Sequence, residues 1–405
     1  MKQFEVPSFY RSTLISKVKA QRKLEDPRKK DFSPSELKLG NITFVIARHF
    51  GFCYGVENAI EKSYKAIYEN PNKRIFLLSQ MIHNPAVNED LISHGLQFLQ
   101  DTEGNQLIPF EDLNNEDLVI IPAFGTTIEI EQKLTAIGVD ISTYNTTCPF
   151  VEKVWNRSEK LGETDHTIII HGKYKHEETR ATFSHSSQSA PSIIIKDIQE
   201  AKILGDFILG KIDLHSFDQI FKGKSSLHFD PKKDLSKIGV VNQTTMLASE
   251  TQEITNYLRE VMLMKYGVEN IKEHIADTRD TLCYATNDNQ TATLALMETD
   301  ADLAIVVGGY NSSNTSHLVE LLEQKFPCYF VQDESELISK EEINSFDIHS
   351  KTLQKLPYLP TKSNHRIILT SGASCPDSVV DGVMMKLASF VHSNEEMATI
   401  LSEMK

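Results

Sequence analysis

Short runs of β-branched and aliphatic residues alternate with polar stretches along most of this 405-residue chain. From residue 41 onward, each run ends in a polar or glycine-containing loop, and a stretch with helical character follows. That order is typical of βα units around a parallel sheet, so the pattern predicts an α/β fold. The clearest predicted strands are 42–47, 74–78, 118–122, 167–171, 238–241, 303–307 and 366–369.

Three segments depart from this pattern. Residues 1–40 are polar and basic, contain Pro27 and Pro34, and have little periodicity. We expect them to form an N-terminal extension that packs on the surface or is partly disordered. A polar segment near 196–236 is predicted to be an insertion, and 376–405 is predicted to contain a C-terminal helix.

The same order of features occurs three times along the chain. A cysteine is followed by a polar loop, and later by a small-residue loop at 123–127, 242–245 or 371–374. The cysteine and the polar loop are 30, 28 and 30 residues apart, measured from Cys53 to His83, Cys148 to His176 and Cys283 to Ser313. The repeat predicts three similar α/β units, at 41–147, 148–281 and 282–375. Because parallel α/β sheets bind ligands beyond the carboxyl ends of their strands, we expect a trefoil of these units around one cavity.

Composition narrows the classes of partner. With 42 basic and 56 acidic residues the formal charge is -14, which disfavours nucleic acid and anionic membranes as partners. The longest apolar runs have the length of a strand, and no secretory or organelle signal is recognisable, so a cytoplasmic location is expected. Five scattered cysteines are too few for a disulfide framework and suggest thiol chemistry or metal binding.

Three of these cysteines, Cys53, Cys148 and Cys283, occupy equivalent places in the repeat, each at a predicted helix start. A helix N-terminus favours the thiolate, which is the form that binds metals. A lone cysteine is more often a small buried hydrophobe, and Cys328 and Cys375 have no counterparts in the repeat. The repeat favours shared metal ligation. Zinc with three thiolates and a four-iron cluster with one iron lacking a thiolate both fit this pattern.

The loops that follow the cysteines are rich in hydrogen-bonding side chains. These suit a phosphate or diphosphate, although ordinary turn and capping chemistry explains each of them singly. The candidates are His83, His176, Ser312, Ser313, Asn314 and Ser374. Glu178 is either a solvated carboxylate at a helix start or a proton donor beside the metal. Thr244 either relays that proton or caps a helix.

Taken together, these positions resemble the 4-hydroxy-3-methylbut-2-enyl diphosphate reductase family, the last enzymes of the non-mevalonate isoprenoid pathway. The resemblance covers roughly residues 41 to 390, and its motifs occur in the family's order. It includes His176 with Glu178, and these runs: Gly51-Phe52-Cys53-Tyr54-Gly55-Val56, Ile82-His83-Asn84-Pro85, Thr147-Cys148-Pro149, Gln243-Thr244-Thr245, Cys283-Tyr284-Ala285-Thr286, Asn311-Ser312-Ser313-Asn314 and Gly372-Ala373-Ser374.

The resemblance implies a trefoil around one 4Fe-4S cluster on Cys53, Cys148 and Cys283, with the fourth iron open to the substrate hydroxyl. It implies two-electron reduction to isopentenyl and dimethylallyl diphosphate, with a ferredoxin or flavodoxin as external electron donor. Glu178, Thr244 and His176 are then catalytic. The implied substrate-binding residues are His83, His176, Thr244, Ser312, Ser313, Asn314 and Ser374.

One position departs from the family pattern. Many members have a histidine in an Ala-His-Gly loop, whereas this chain has Phe124 between Ala123 and Gly125. Together with the N-terminal extension and residues 171–174, this difference resembles the plant and cyanobacterial branch of the family. Lys173 or Lys175 is a candidate replacement for the missing donor. Two rival interpretations are another three-cysteine cluster enzyme, such as quinolinate synthase, and a non-catalytic cluster or zinc protein that binds a diphosphate. The non-catalytic protein would need no acid at Glu178.

Overall fold

The structure is a computed structural model that describes residues 5–276, 281–393, 395 and 396. The strands are β1 (Ser35–Leu39), β2 (Ile42–Ile46), β3 (Ile75–Leu77), β4 (Gln97–Phe98), β5 (Leu118–Ile120), β6 (Thr167–His171), β7 (Ser192–Ile195), β8 (Ile238–Asn242), β9 (Leu303–Val307), β10 (Cys328–Val331), β11 (Glu342–Asp347), β12 (Thr352–Pro357) and β13 (His365–Ser371). The helices are α1 (Leu14–Glu25), α2 (Tyr54–Glu69), α3 (Pro85–Ser93), α4 (Ile128–Ile137), α5 (Pro149–Gly162), α6 (Glu177–Ser189), α7 (Ile198–Ile208), α8 (Phe217–Ile220), α9 (Pro231–Asp234), α10 (Ala248–His274), α11 (Tyr284–Met297), α12 (Ser313–Leu322) and α13 (Asp377–Ser389).

The chain forms two compact units. Unit 1 comprises residues 1–57, 83–86 and 284–405, and unit 2 comprises 58–82 and 87–283, as far as these ranges are described. Unit 1 contains a five-stranded sheet in the order β1-β2-β13-β9-β10, in which only β1 is antiparallel. Its central strands are buried along their length, as expected for a parallel sheet with both faces covered. A separate hairpin pairs β11 with β12.

Unit 2 contains two three-stranded parallel sheets. Their orders are β4-β3-β5 and β7-β6-β8. Strand β6 is buried along its whole length, because its Ile168-Ile169-Ile170 run lies between two neighbouring strands and below the helices that contact the sheet. In both sheets the carboxyl ends of the strands lead into the loops that carry the candidate site residues.

The α/β class with parallel-type sheets is confirmed, and every predicted strand is present with small differences in its bounds. Strand β2, which falls at the start of the predicted unit 41–147, pairs with β13, and both belong to the five-stranded sheet. The apolar Ile42–Ile46 run needs neighbours on both sides, and β1 and β13 supply them. The three-part division at 147/148 and 281/282 and the trefoil around one cavity stay predictions.

Two of the unusual segments contain regular structure. The described part of the extension forms α1 and β1 and buries Tyr10, Leu14 and Ile15, which corresponds to packing, the first of the two alternatives expected for it. Segment 196–236 contains α7 and buries Phe207 and Phe217 in the core, so it is only partly a polar insertion. The predicted C-terminal helix is α13, while residues 394 and 397–405 lie outside the described part.

Candidate active site

Each of the three candidate cysteines lies directly before a helix. Cys53 precedes α2, Cys148 is the N-cap of α5 with Pro149 at the first helical position, and Cys283 precedes α11. All three are partly buried. Their predicted location at helix starts is therefore confirmed, and it directs the N-terminal end of a helix towards each sulfur.

The backbone of each cysteine is held by a repeated hydrogen bond to a small-residue loop. The donor is the cysteine N–H, and the acceptor is a backbone carbonyl that follows a parallel strand. The pairs are Cys53 to Ala373 at 3.2 Å, Cys148 to Ala123 at 3.0 Å and Cys283 to Thr244 at 3.2 Å. Each cysteine is thus bound to the loop of the preceding block, and the first cysteine is bound to the loop of the last block. The same relationship holds for β2, which leads to Cys53 and pairs with β13, the strand that leads to the Ala373 loop.

Within unit 2, Cys148, Cys283 and Glu178 interact electrostatically. Burial raises the pKa of the Cys148 thiol to about 11, with smaller contributions from Cys283 and Glu178. A group that binds these sulfurs as thiolates must therefore bring positive charge, as an iron or zinc centre does. Among the described residues, no three His, Cys, Asp or Glu side chains form a site for a single metal ion. The donor set fits a thiolate-bound cluster, whose several metal atoms do not require three ligands at one point.

Glu178 is a fully buried carboxyl group in the first turn of α6. Its Oε1 accepts a hydrogen bond from the Thr244 backbone N–H at 2.5 Å, and its Oε2 pairs with the Thr244 hydroxyl at 2.9 Å. Burial raises the pKa of Glu178 to about 7, although both bonds from Thr244 oppose the rise. A carboxyl group with this pKa can hold and release a proton near neutral pH. The solvated alternative for Glu178 is wrong.

His176 is the N-cap of α6. Its Nδ1 accepts a hydrogen bond from the Glu178 backbone N–H at 3.2 Å, so in the neutral ring the proton lies on Nε2. The ring of Phe124 packs edge-on against His176, with 5.6 Å between ring centroids. His176 therefore caps a helix, as the ordinary interpretation proposed, and its Nε2 carries the ring proton.

Phe124 occupies the place of the family histidine, and neither suggested lysine is shown to replace that donor. The ammonium group of Lys175 pairs with Glu103 at 3.1 Å, and both side chains are mostly exposed. The backbone N–H of Lys173 donates to Gln243 Oε1 at 3.1 Å. At this position the structure shows an edge-on contact between the rings of Phe124 and His176.

In unit 1, the start of α12 carries unsatisfied buried donors. Ser312 is the N-cap and accepts a hydrogen bond from the Thr315 N–H at 3.2 Å. Ser313 Oγ and Asn314 Nδ2 are buried and have no hydrogen-bond partner among the described residues. Buried polar atoms are rarely left unpaired, so a ligand with acceptor oxygens is expected to complete them. Asn314 is oriented by its Oδ1, which accepts the Ala373 N–H at 3.0 Å.

His83 and Ser374 lie next to this helix start. Ser374 Oγ donates to the His83 carbonyl at 3.2 Å. Gly309 allows the same carbonyl to approach, because a Cβ at that position would lie 2.4 Å from the His83 oxygen. Unit 1 thus gathers the loops that carry one group of predicted residues, namely Cys53, His83, Ser312, Ser313, Asn314 and Ser374. Unit 2 gathers the other group, namely Cys148, His176, Glu178, Thr244 and Cys283.

Two buried amides support the unit 2 loops and were missed as site residues. Gln243 Oε1 accepts hydrogen bonds from the Lys173 N–H and from the Thr179 hydroxyl at 3.0 Å. Asn242 Oδ1 accepts the Thr281 N–H at 2.8 Å, which fixes the turn before Cys283. The available signal was their place at the end of a buried strand, since Asn242 is the last residue of β8 and Gln243 follows it, and an amide side chain there commonly bonds to loop backbone.

Comparison with known proteins gives consistent matches over nearly the whole chain. The model of the LytB protein family matches residues 44–388. A relative from Picosynechococcus sp. is 39% identical over 353 residues, covering 87% of this chain and 85% of its own. One from Trichormus variabilis is 37% identical over 384 residues, covering 95% and 90%. Both are 4-hydroxy-3-methylbut-2-enyl diphosphate reductases by name, and their cyanobacterial origin agrees with the branch predicted from the sequence.

A solved structure has a similar fold. It is the E-1-hydroxy-2-methyl-but-2-enyl-4-diphosphate reductase from Plasmodium falciparum, with a TM-score of 0.61 and 21% sequence identity. The match covers 90% of this chain and 99% of that chain. Similarity at this level of identity supports the fold alone. In the described part of this chain, no helix is long and apolar enough to cross a membrane.

Proposed function

The chain belongs to the LytB protein family, and on that premise we propose that it is a 4-hydroxy-3-methylbut-2-enyl diphosphate reductase. This oxidoreductase catalyses the last step of the non-mevalonate isoprenoid pathway. The substrate, (E)-4-hydroxy-3-methylbut-2-enyl diphosphate, takes up two electrons and two protons, loses its hydroxyl group as water, and becomes isopentenyl or dimethylallyl diphosphate. The observation that carries the proposal within the site is the buried Glu178, whose pKa of about 7 suits a proton donor.

We further propose that Cys53, Cys148 and Cys283 hold one 4Fe-4S cluster and leave one iron without a thiolate. The family match, the equivalent placement of the three cysteines before helices and the repeated backbone hydrogen bond support this ligand set. When bound, such a cluster supplies electrons and a Lewis-acidic iron for the substrate hydroxyl. Cys328 and Cys375 have no role in it, because neither lies directly before a helix start with the repeated bond.

Glu178 and Thr244 would supply the proton that converts the hydroxyl into water. Because Glu178 Oε1 already accepts the Thr244 N–H, the acidic proton belongs on Oε2, beside the Thr244 hydroxyl. That hydroxyl can accept the proton and release its own on the other side, so the pair can act as a relay. Burial keeps bulk water from competing for the proton.

The diphosphate would be held by neutral donors at the two helix starts. His176 Nε2, Ser313 Oγ and Asn314 Nδ2 are polar atoms suited to phosphate oxygens, and Ser312, Ser374 and His83 complete the proposed set. The N-terminal ends of α6 and α12 add partial positive charge. These donors could therefore bind an anion although the chain carries a net charge of -14.

The electrons would come from a ferredoxin or flavodoxin, since the sequence contains no nicotinamide or flavin fingerprint. A cytoplasmic location remains a prediction from the sequence. No observation favours a diphosphate-binding protein without activity, because such a protein has no need for a buried acid with a raised pKa.

Anaerobic purification with iron and sulfide counting, followed by a reduction assay on the hydroxylated diphosphate, tests the proposal. Four irons and four sulfides per chain are expected, together with turnover driven by dithionite and a viologen. A cluster-loaded protein that binds the diphosphate without reducing it would contradict the proposed activity. A zinc-loaded active protein would contradict the proposed cofactor.

A further inference from the structure

The N-terminal extension has a charge opposite to that of the whole chain. Residues 17–30 contain seven Lys or Arg and two Asp or Glu, whereas the chain has a formal charge of -14. The basic residues are Lys17, Lys19, Arg22, Lys23, Arg28, Lys29 and Lys30. A positive segment on an acidic protein produces a strongly polarised surface. The activity proposed above assigns no task to this segment.

The basic segment is fixed to unit 1. Lys19 forms an ion pair with Asp377 at 2.7 Å and donates to the Phe50 carbonyl at 3.1 Å. Arg48 reaches the carboxylate of Asp26 at 3.6 Å. The side chains of Leu14 and Ile15 are buried in the core of the unit. The positive charges therefore have defined positions relative to Cys53.

A cavity of about 270 Å³ lies between the basic segment and Cys53. Its lining includes Lys19, Lys23, Lys29 and Arg48 together with Cys53 itself. Lys23 and Lys29 are exposed, and neither ammonium group forms a hydrogen bond or ion pair with a residue that the structure describes. Asp288 is the acidic side chain of the lining, so positive charge predominates. The cavity thus connects a rim of basic side chains, Lys19, Lys23, Lys29 and Arg48, with Cys53, a proposed cluster ligand.

The response of His49 supports a positive potential at this place. Burial, together with smaller contributions from Arg48, Lys29 and Lys19, lowers the pKa of this lining histidine to about 4. Because the His49 ring is neutral near pH 7, the positive charge of the lining comes from its lysine and arginine side chains. His49 also lies 3.9 Å from Asp288. The positive charge is concentrated at the outer side chains, not on the histidine.

An aromatic ring is exposed inside the positive rim. Tyr284 is 40% exposed, and its hydroxyl accepts a hydrogen bond from the Tyr54 N–H at 2.9 Å. The hydroxyl is therefore anchored while the side chain is partly exposed. Tyrosine side chains are enriched at protein–protein interfaces.

We propose that this lysine-rimmed pocket, formed by the basic segment, Arg48, Cys53 and Tyr284, is the docking surface for an acidic one-electron carrier protein. The inference rests on the proposed function, which requires an external reductant. In each of two dockings, a reduced carrier would give up one electron to the redox group that Cys53, Cys148 and Cys283 would hold. The two electrons and two protons from the site then convert one substrate molecule into product and water.

The distribution of charge favours a protein over a small anion. Within the described residues Lys23 and Lys29 have no ion-pair partner, and their long, solvated side chains can attract a large acidic surface and accelerate its association. The deeper lining contains a neutral histidine and the carboxylate of Asp288, which disfavour a buried phosphate. The exposed ring of Tyr284 would contact an apolar patch on the carrier.

The test uses full-length, cluster-loaded enzyme and the double variant Lys23→Glu with Lys29→Glu. The probe is a reduced, acidic plant-type ferredoxin. Its dissociation constant is measured by surface plasmon resonance at several salt concentrations, and its KM is measured in turnover. We expect both constants to rise by roughly tenfold or more and their salt dependence to weaken. Turnover with dithionite and a viologen should not change, because these small reductants need no docking surface.

Matched controls make the test decisive. The pair Lys340→Glu and Lys351→Glu makes the same change of charge at two exposed lysines outside the pocket and should leave ferredoxin binding unaffected. The milder pair Lys23→Ala and Lys29→Ala should give a smaller effect in the same direction. Equal losses in the pocket and control pairs, or unchanged ferredoxin binding, would overturn the proposal. So would binding of inorganic phosphate that the pocket variant abolishes while ferredoxin affinity stays constant. Failure of the wild type with dithionite would instead count against the proposed function.

Discussion

Thr244 holds both oxygens of Glu178, with its backbone N–H at 2.5 Å from Oε1 and its hydroxyl at 2.9 Å from Oε2. The two contacts differ in kind, because a backbone N–H can only donate whereas a hydroxyl can donate or accept. Oε1 is therefore a fixed acceptor, and Oε2 is the oxygen that can exchange a proton. The geometry divides one carboxyl group into an anchored side and a reactive side.

Replacing the acid should separate chemistry from binding. In Glu178→Gln, the side-chain oxygen can still accept the Thr244 N–H, but no acidic proton remains. We expect turnover to fall by about 10²- to 10⁴-fold, the range for loss of general acid catalysis. Iron content and the dissociation constant of the diphosphate substrate should stay near wild-type values. Steady-state kinetics and calorimetry measure these quantities, and near-normal turnover would remove Glu178 from the catalytic role.

The Thr244 hydroxyl can be tested apart from its backbone. Thr244→Val keeps the N–H and the shape but removes the hydroxyl, so it should lower kcat by roughly tenfold or more, since hydrogen bonds to charged groups contribute about 1.5–3 kcal/mol. Thr244→Ser keeps the hydroxyl and should retain most activity. Equal activity of the two variants would show that the hydroxyl takes no part in proton transfer.

The raised pKa of Glu178 predicts a dependence on pH with a definite sign. Because the acid must be protonated, activity should decline as pH rises through about 7. For stability, the folded state binds the proton more tightly than the unfolded state, so the free energy of unfolding should fall between the unfolded pKa and about 7 as pH rises. Glu178→Gln should lack this component. Denaturant titrations at a series of pH values measure it, and superimposable curves for the two proteins would contradict the assignment.

The cysteines provide a matched comparison. Cys148→Ser should lose most of the visible iron–sulfur absorbance, because a serine replaces one of three proposed thiolate ligands. Cys328, at the start of β10, lies outside the proposed ligand set, and Cys328→Ser should keep the absorbance. Anaerobic spectra with iron and sulfide analysis distinguish the two. Bleaching of the Cys328 variant would show that the threefold alignment of the cysteines is wrong.

Phe124 should act through His176. Its edge-on packing restrains the imidazole ring, so Phe124→Ala is expected to raise the KM for substrate several-fold and to change kcat less. Phe124→Leu, which keeps much of the apolar contact, should have a smaller effect. Substrate titrations measured under identical electron supply give both constants. A fall in kcat with constant KM would contradict a positioning role in binding.

The sequence predicted the strands well because their apolar runs are short, strong and bounded by turn residues. The run at Thr167–His171, for example, has the predicted bounds. It did not indicate the pairing of β2 with β13, since periodicity identifies a strand but says nothing about which distant strand it pairs with. It also missed α1 and β1, whose low hydrophobicity hides the burial of Tyr10 and Leu14.

The candidate residues came from motif order and repeat spacing, and their environments required the structure. Nothing in the letters around Glu178 distinguishes a buried acid from a solvated one, because burial depends on packing by residues far along the chain. The same holds for the unpaired Asn314 Nδ2 and for the amide of Asn242 that fixes the turn before Cys283. Local sequence indicates on which loop or helix start a side chain lies, whereas its hydrogen-bond partners and its exposure follow from the tertiary fold.

The pairing of β2 with β13 has a consequence for biosynthesis. A ribosome releases the segment around Cys53 early, but that segment cannot reach its native place until β13 and the Ala373 carbonyl have emerged. During most of translation, β2 can pair with β1 but lacks β13 on its other side, so one edge of an apolar strand stays uncovered. If Cys53 binds a cofactor as proposed, its insertion would therefore have to follow the synthesis of nearly the whole chain.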